Sequence, residues 1–304
     1  MFKCKEEKRA HQVALECVRE GMKMAEQIRN DKNLCGEMSK SDNSPVTLAD
    51  FAVQYIVVQK LKEQFPNWPI IAEEDSSILT HDFIEKLSMI LGKFDVRSMS
   101  SVCDGKNPPE YFWALDPIDG TRGFLIEGGQ YCVCLSLLKR IEHSEEYDPI
   151  IGVLGCPLLK GGMILDSCSE ILANVKNSVD RVPFTLENLR ITIPRVRSGR
   201  AELNIQVKEV IPMDSQCKYA LLVLNMADVY YRSSGSFPDG YQEKIWDHAA
   251  GTAILRAHGG EVWDMNGCKL KFLFSPFLKC PGGILAGKEG TDVYYFLSNK
   301  TKNN

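Results

Sequence analysis

The stretch FWALDPIDGTRGF, residues 112–124, constrains this chain more than any other. An apolar run that reads as a strand ends in Asp116 and Asp119, with Pro117 and Ile118 between them and Gly120-Thr121 directly after. Carboxylates set this close repel each other unless a cation lies among them or they point apart. Pro117 fixes its own backbone angle, and a turn there brings both acids to one side with the Ile118 carbonyl between them. Three oxygens of that kind suit a hard cation, magnesium in particular. Gly120 permits close backbone approach, and the N–H groups of Gly120 and Thr121 offer an anion site if they open a helix. A cation between carboxylates beside a phosphate-binding backbone is the layout of metal-assisted phosphoester hydrolysis.

Other acids stand at element edges. Asp50 follows Thr47 by three residues, which fits a helix-capping box. Glu73 and Glu74 end the short apolar run PIIAEED, and either solvation or convergence on a site explains them. Asp247 precedes HAAGTAIL and fits an N-cap equally well. A haloacid-dehalogenase nucleophile loop needs one residue between its two aspartates, and two stand here, so covalent phospho-aspartate chemistry is the weaker route. No EF-hand loop is present either.

The whole chain sets bounds on partners. Its 304 residues allow two packed domains or one large α/β unit, with 44% hydrophobic and 25% charged residues in the ordinary globular range. The net charge of -4, without a basic tract, argues against nucleic acid or an anionic membrane as partner. No apolar stretch resembles a signal peptide or a membrane span, so a cytoplasmic location is expected. Eleven scattered cysteines without a CxxC pair read as reduced thiols, and Cys132 and Cys134 should share the core-facing side of one strand. The five histidines form no zinc-hydrolase spacing.

Periodicity predicts an amphipathic helix over 5–29 and a second from Thr47 until Pro66. A helical stretch is expected around SSILTHDFIEKLSMIL, then strands at YFWALD, QYCVCLSLLKR, PIIGVLGCP and GGMILD. After about residue 166 helices and strands alternate: helices over SQCKYALLVLNM and HAAGTAILRAH, strands at ADVYYR and EVWDM. The expected division is an N-terminal α+β domain, 1–165, and a C-terminal α/β domain, 166–304.

With AEED (72–75), DPIDGT (116–121) and WDHAAG (246–251) in order, the chain resembles the magnesium-dependent, lithium-sensitive inositol monophosphatase superfamily. SPVTLADFAVQ, MDSQCKYALL, ADVYYR and YQEKIWDHAAG are similar to its 3'(2'),5'-bisphosphate nucleotidase branch. The resemblance implies a layered αβαβα sandwich of the sugar-phosphatase type with two subdomains. It implies two to three Mg2+ ions held by Glu73, Asp116, the Ile118 carbonyl, Asp119 and Asp247, with Asp116 bridging. Asp50 and Thr121 would activate water, and the Gly120 and Thr121 N–H groups would take phosphate. Ser215, Lys218, Arg232, Glu243 and Asp247 would contact substrate, with Trp246 close by. The implied substrate is a small nucleotide, 3'-phosphoadenosine 5'-phosphate or its sulfated form, and the enzyme a monomer; an inositol mono- or polyphosphate is the alternative. Two departures stand out: Ala72 replaces a glycine common before the two glutamates, and VRSGRAEL (196–203) replaces a histidine-bearing stretch, leaving Ser198 or Arg200 to supply its contact.

Overall fold

The computed structural model describes residues 4–31, 34, 37–40, 44–99, 108–168, 188–195, 207–233 and 241–288. Residues 196–203, with Ser198 and Arg200, lie outside them.

The first layer is helical. Helix α1 (Lys5–Asn30) buries Val13, Cys17, Val18, Ala25 and Ile28 along one stripe, the spacing its sequence predicts. Helix α2 (Leu48–Gln64) is not one-sided: Leu48 through Gln54 are buried without interruption, because its first turns sit inside the protein. Between the two helices lies a hairpin of β1 (Glu37–Ser39) and β2 (Pro45–Thr47). Helix α3 (His81–Leu91) packs Phe83 edge-on to Phe51 of α2.

The second layer is a sheet built from β3 (Ile70–Ala72), β4 (Tyr111–Asp119), β5 (Cys132–Arg140), β6 (Glu146–Cys156) and β7 (Met163–Asp166). Strands β4 to β7 run antiparallel, β3 pairs parallel with β4, and β12 (Phe272–Leu273) from late in the chain adds to β6. Alternation along the strands divides the core. Trp113, Leu115, Val133 and Leu135 face α1 and α2, while Phe112, Ala114, Cys132 and Cys134 face the other way.

That second face packs on helix α5 (Cys217–Val223) and helix α6 (Ala249–Ala257), which in turn cover a second sheet. Its strand order is β11 (Gly260–Asp264), β13 (Gly283–Lys288), β10 (Val229–Ser233), β8 (Arg190–Pro194) and β9 (Glu209–Met213). The outer face of this sheet carries a third apolar group, including Ile191, Ile193, Val229, Tyr231 and Leu285. The chain is thus a layered α+β sandwich, with the αβαβ part of the expected order among the described residues. No helix among them is long and apolar enough to cross a membrane.

One local expectation is corrected. DPID is no turn after a strand: β4 runs through it, and the short helix α4 (Thr121–Leu125) starts directly behind. Asp116 stands opposite Cys134 and Asp119 opposite Cys132, so β4 advances three residues against two on β5. Pro117 has no N–H to give to the ladder, and the strand bulges there instead of stopping.

Candidate active site

The bulge aims the acids. Asp116 is buried, and its Oδ1 accepts the Ile118 N–H at 3.1 Å, which locks the kink. Asp119, three residues on, accepts the Gln216 N–H at 2.6 Å from the turn before α5. Asp247 arrives from the segment before α6 and supplies a carboxylate oxygen to the same spot. One oxygen from each of Asp116, Asp119 and Asp247 lies within 4.8 Å of the others. Asp247 is not the N-cap of α6: that position belongs to His248, which makes no side-chain cap bond.

Three acids this close disfavour their own ionisation. Burial, then repulsion from Glu73, Asp119 and Asp247, holds Asp116 well above the usual carboxylate range. Burial pushes Asp119 up to about 7 against the pull of Lys218. Asp247 is also raised, by burial and by Asp119, with Arg232 opposing. Hard oxygens with this mutual repulsion fit a divalent cation, which neutralises them together.

Glu73 leaves the end of β3, its N–H bonded to the Leu115 carbonyl of β4 at 3.2 Å. Lys40, from the end of β1, reaches both Glu73 Oε1 and Glu74 Oε1 at 2.7 Å. Glu74 is buried, with its backbone held in two directions by the Gln54 amide at 2.7 and 2.9 Å. Glu74 is therefore no solvated strand end. Burial and the charges of Glu73 and Asp50 hold it well above its ordinary value, against Lys40. Burial opposes the charge on Lys40, yet the two glutamates win and hold it above the usual lysine value.

Asp50 combines two readings. Its Oδ2 accepts the Thr47 N–H at 2.8 Å and the Thr47 hydroxyl at 2.6 Å, the capping box of α2. Its Oδ1 accepts the Thr121 hydroxyl at 3.3 Å, which also lies 3.2 Å from the Ile118 carbonyl. Burial pushes Asp50 up to about 6 despite the Thr47 bonds. Gly120 before it has φ +88°, and a Cβ there would sit 3.0 Å from the Gln130 carbonyl, so the αL turn requires glycine.

A cleft of about 210 Å³ opens over these groups, and Glu73, Asp119, Gly120, Thr121 and Asp247 line it. Ser215, Lys218 and Arg232 line the same cleft. The Lys218 ammonium bonds the Ser215 carbonyl at 2.5 Å, and burial lowers its pKa while Asp119 raises it. Arg232 pairs with Glu243 at 2.9 Å, and Glu243 meets His248 Nε2 at 3.2 Å, whose Nδ1 is 2.8 Å from the Tyr219 hydroxyl. Glu243 thus stands behind Arg232 and outside the cleft lining. Asp50, Asp116, Ile118 and Trp246 are also outside that lining, the first three fully buried.

The profile of the inositol monophosphatase family matches residues 5–292. The chain belongs to the inositol monophosphatase family. It is similar to a 3'(2'),5'-bisphosphate nucleotidase of Schizosaccharomyces pombe, 31% identical over 92% of this chain and 91% of that protein. A 3'(2'),5'-bisphosphate nucleotidase 1 of Candida albicans is 32% identical over 84% of each chain. Among solved structures, the extragenic suppressor protein suhB of Bartonella henselae shares the fold at a TM-score of 0.66, with 16% identity over 97% of this chain and 99% of that one.

In this member of the inositol monophosphatase family two residues at the site carry no sequence signal. Lys40 lies in a polar loop without periodicity. Gln216 is buried, holds Asp119 through its N–H, and ties the Trp246 carbonyl and the Gly251 N–H together through its side-chain amide, each at 2.8 Å. Its place in MDSQCKYALL marks a segment of interest and gives no hint of those bonds.

Proposed function

We propose that the chain is a magnesium-dependent, lithium-sensitive phosphatase that removes the 3'-phosphate of 3'-phosphoadenosine 5'-phosphate, giving AMP and phosphate, and acts also on its sulfated form. The convergence of one oxygen each from Asp116, Asp119 and Asp247, with Asp119 and Asp247 lining the cleft above Asp116, carries this reading. Relatives about 30% identical along most of their length, named as bisphosphate nucleotidases, support the choice of substrate. Lys218 and Arg232 put positive charge into the cleft that holds the acids, which suits a substrate with a second phosphate.

Glu73, Asp116, Asp119, Asp247 and the Ile118 carbonyl would hold two to three magnesium ions, with Asp116 shared. When bound, magnesium lowers the pKa of water and offsets the charge that gathers on phosphate and leaving oxygen. Asp50 and Thr121 manage the proton. The Thr121 hydroxyl donates to Asp50, so a water that donates to Thr121 has a relay to a carboxylate tuned near neutrality. The Gly120 and Thr121 N–H groups receive the phosphate, and Glu243 fixes the Arg232 guanidinium by an ion pair. On the division at 165/166, the N-terminal domain supplies four of the acids and the C-terminal domain Asp247. The enzyme acts as a cytoplasmic monomer.

Phosphate release from 3'-phosphoadenosine 5'-phosphate and from inositol 1-phosphate, measured side by side with magnesium, tests this. Faster release from the nucleotide is expected. A preference for inositol 1-phosphate would move the chain to the inositol branch, and release from neither would overturn the reading.

A further inference from the structure

Behind the cleft three thiols meet that the hydrolytic reading does not use. Cys132 on β5, Cys156 at the end of β6 and Cys217 at the start of α5 come from separate elements, and all three are fully buried. The Cys132 sulfur lies 3.4 Å from that of Cys156 and 3.1 Å from that of Cys217. All three sulfurs lie within 4.8 Å of one another; Cys134, two residues along β5, bonds Cys132 but does not join the group. The trio is one side chain from the cleft: Ser215 lines the cleft, and its Oγ is 3.3 Å from the Cys132 sulfur.

We propose that Cys132, Cys156 and Cys217 form a binding site for a trivalent thiophilic metalloid, for which arsenite is the probe. Spacing is the first argument. Tetrahedral zinc with sulfurs at about 2.3 Å holds every pair about 3.8 Å apart, wider than the two pairs that include Cys132, at 3.1 and 3.4 Å. A pyramidal trivalent centre carries a lone pair, has narrower angles between its sulfurs, and brings three of them closer.

Charge is the second argument. Three thiolates on a divalent ion leave a net negative charge, and the cross-strand neighbour of Cys132 is Asp119. Like charge buried there is costly, whereas three thiolates on a trivalent centre are neutral. Arsenous acid is itself uncharged near neutral pH, so the acids lining the cleft do not repel it. Its condensation with three thiols forms three As–S bonds, breaks three As–O bonds, and releases three waters that carry off the thiol protons. Arsenic stays trivalent throughout.

Occupancy reaches the cleft through one turn. Cys217 N–H donates to Ser215 Oγ at 3.2 Å, and the Gln216 N–H between them holds Asp119. Drawing the sulfurs onto one centre shifts that turn, so bound arsenite lowers phosphate release; this arm rests on the proposed hydrolytic function.

The full chain with magnesium and no added thiol is incubated with sodium arsenite and desalted. Arsenic per chain is measured by mass spectrometry and free thiols by titration. One arsenic per chain and the loss of three of the eleven thiols are expected, with release slowed about tenfold or more and restored by a dithiol. Cys156→Ala and, independently, Cys217→Ser should each bind at least about tenfold more weakly. Cys17→Ala, buried in α1, should bind as the parent does. No retained arsenic, loss of only two thiols, or undiminished binding by both variants would overturn the site. Binding with unchanged release would overturn the link to Asp119. A chain inactive before arsenite is added would count against the hydrolytic reading, and the arsenic and thiol counts would still decide the site.

Discussion

Asp50 uses its two oxygens for different ends, and an amide cannot. Oδ2 accepts both donors of Thr47, while Oδ1 accepts only the Thr121 hydroxyl. In Asp50→Asn the single carbonyl oxygen goes to the side with two donors, and the NH2 then faces Thr121. The cap survives and the relay does not. Stability within about 1 kcal/mol of the parent is expected by thermal melting, with phosphate release down at least about a hundredfold. Undiminished release would remove Asp50 from the proton path. The capping box was legible in the spacing of Thr47 and Asp50, and so was its rival reading as a site acid. What the spacing could not convey is that one carboxylate caps α2 and also accepts the Thr121 hydroxyl, because that depends on Thr121, 71 residues away. Lys40 was illegible for a similar reason: its role comes from where a hairpin delivers it, and nothing local marks it.

At the scale of elements, motifs and periodicity located most of the helices and strands, and the misses have physical causes. The DPID segment reads as a turn because proline interrupts a ladder; pairing with β5, at Asp116 and again at Asp119, carries the strand through as a bulge, while β3 stops pairing at Leu115. The all-round burial of the first turns of α2 follows from their packing among α1, α3 and β4, which no periodicity within α2 announces. The seat of α6 is another contact between distant segments. A Cβ on Gly152 of β6 would stand 2.3 Å from the Ala250 carbonyl and 2.8 Å from the Ala253 Cβ. Gly152→Ala therefore lifts α6 off the sheet, and Asp247 lies just ahead of that helix. A loss of roughly 1–3 kcal/mol in urea unfolding is expected, together with weaker magnesium binding by titration. Parent-like values for both would show that α6 does not hold Asp247 in place.

For the molecule as a whole, acids spread from residue 50 to residue 247 are brought together at a cost, and that cost depends on pH. Burial raises Asp50 from 3.8 to about 6 and Asp119 from 3.8 to about 7, so between roughly pH 4 and 7 the folded state binds more protons than the unfolded chain. Stability from these groups is greatest below that window and falls as pH rises through it. Asp116, Asp247 and Glu74 are raised in the same direction, while Lys40 pairs with the two glutamates and opposes the rise at Asp50 without cancelling it. A ligand that binds only the folded form stabilises it by mass action, and a divalent cation has most to neutralise once the protons have left. In EDTA the melting temperature should fall between pH 5 and pH 8. Added magnesium should raise it by several degrees at pH 8 and by much less at pH 5. Both effects should shrink in Asp119→Asn, which removes one of the ionising groups without changing its volume. An equal magnesium shift at the two pH values would mean that cations do not offset the repulsion among these acids.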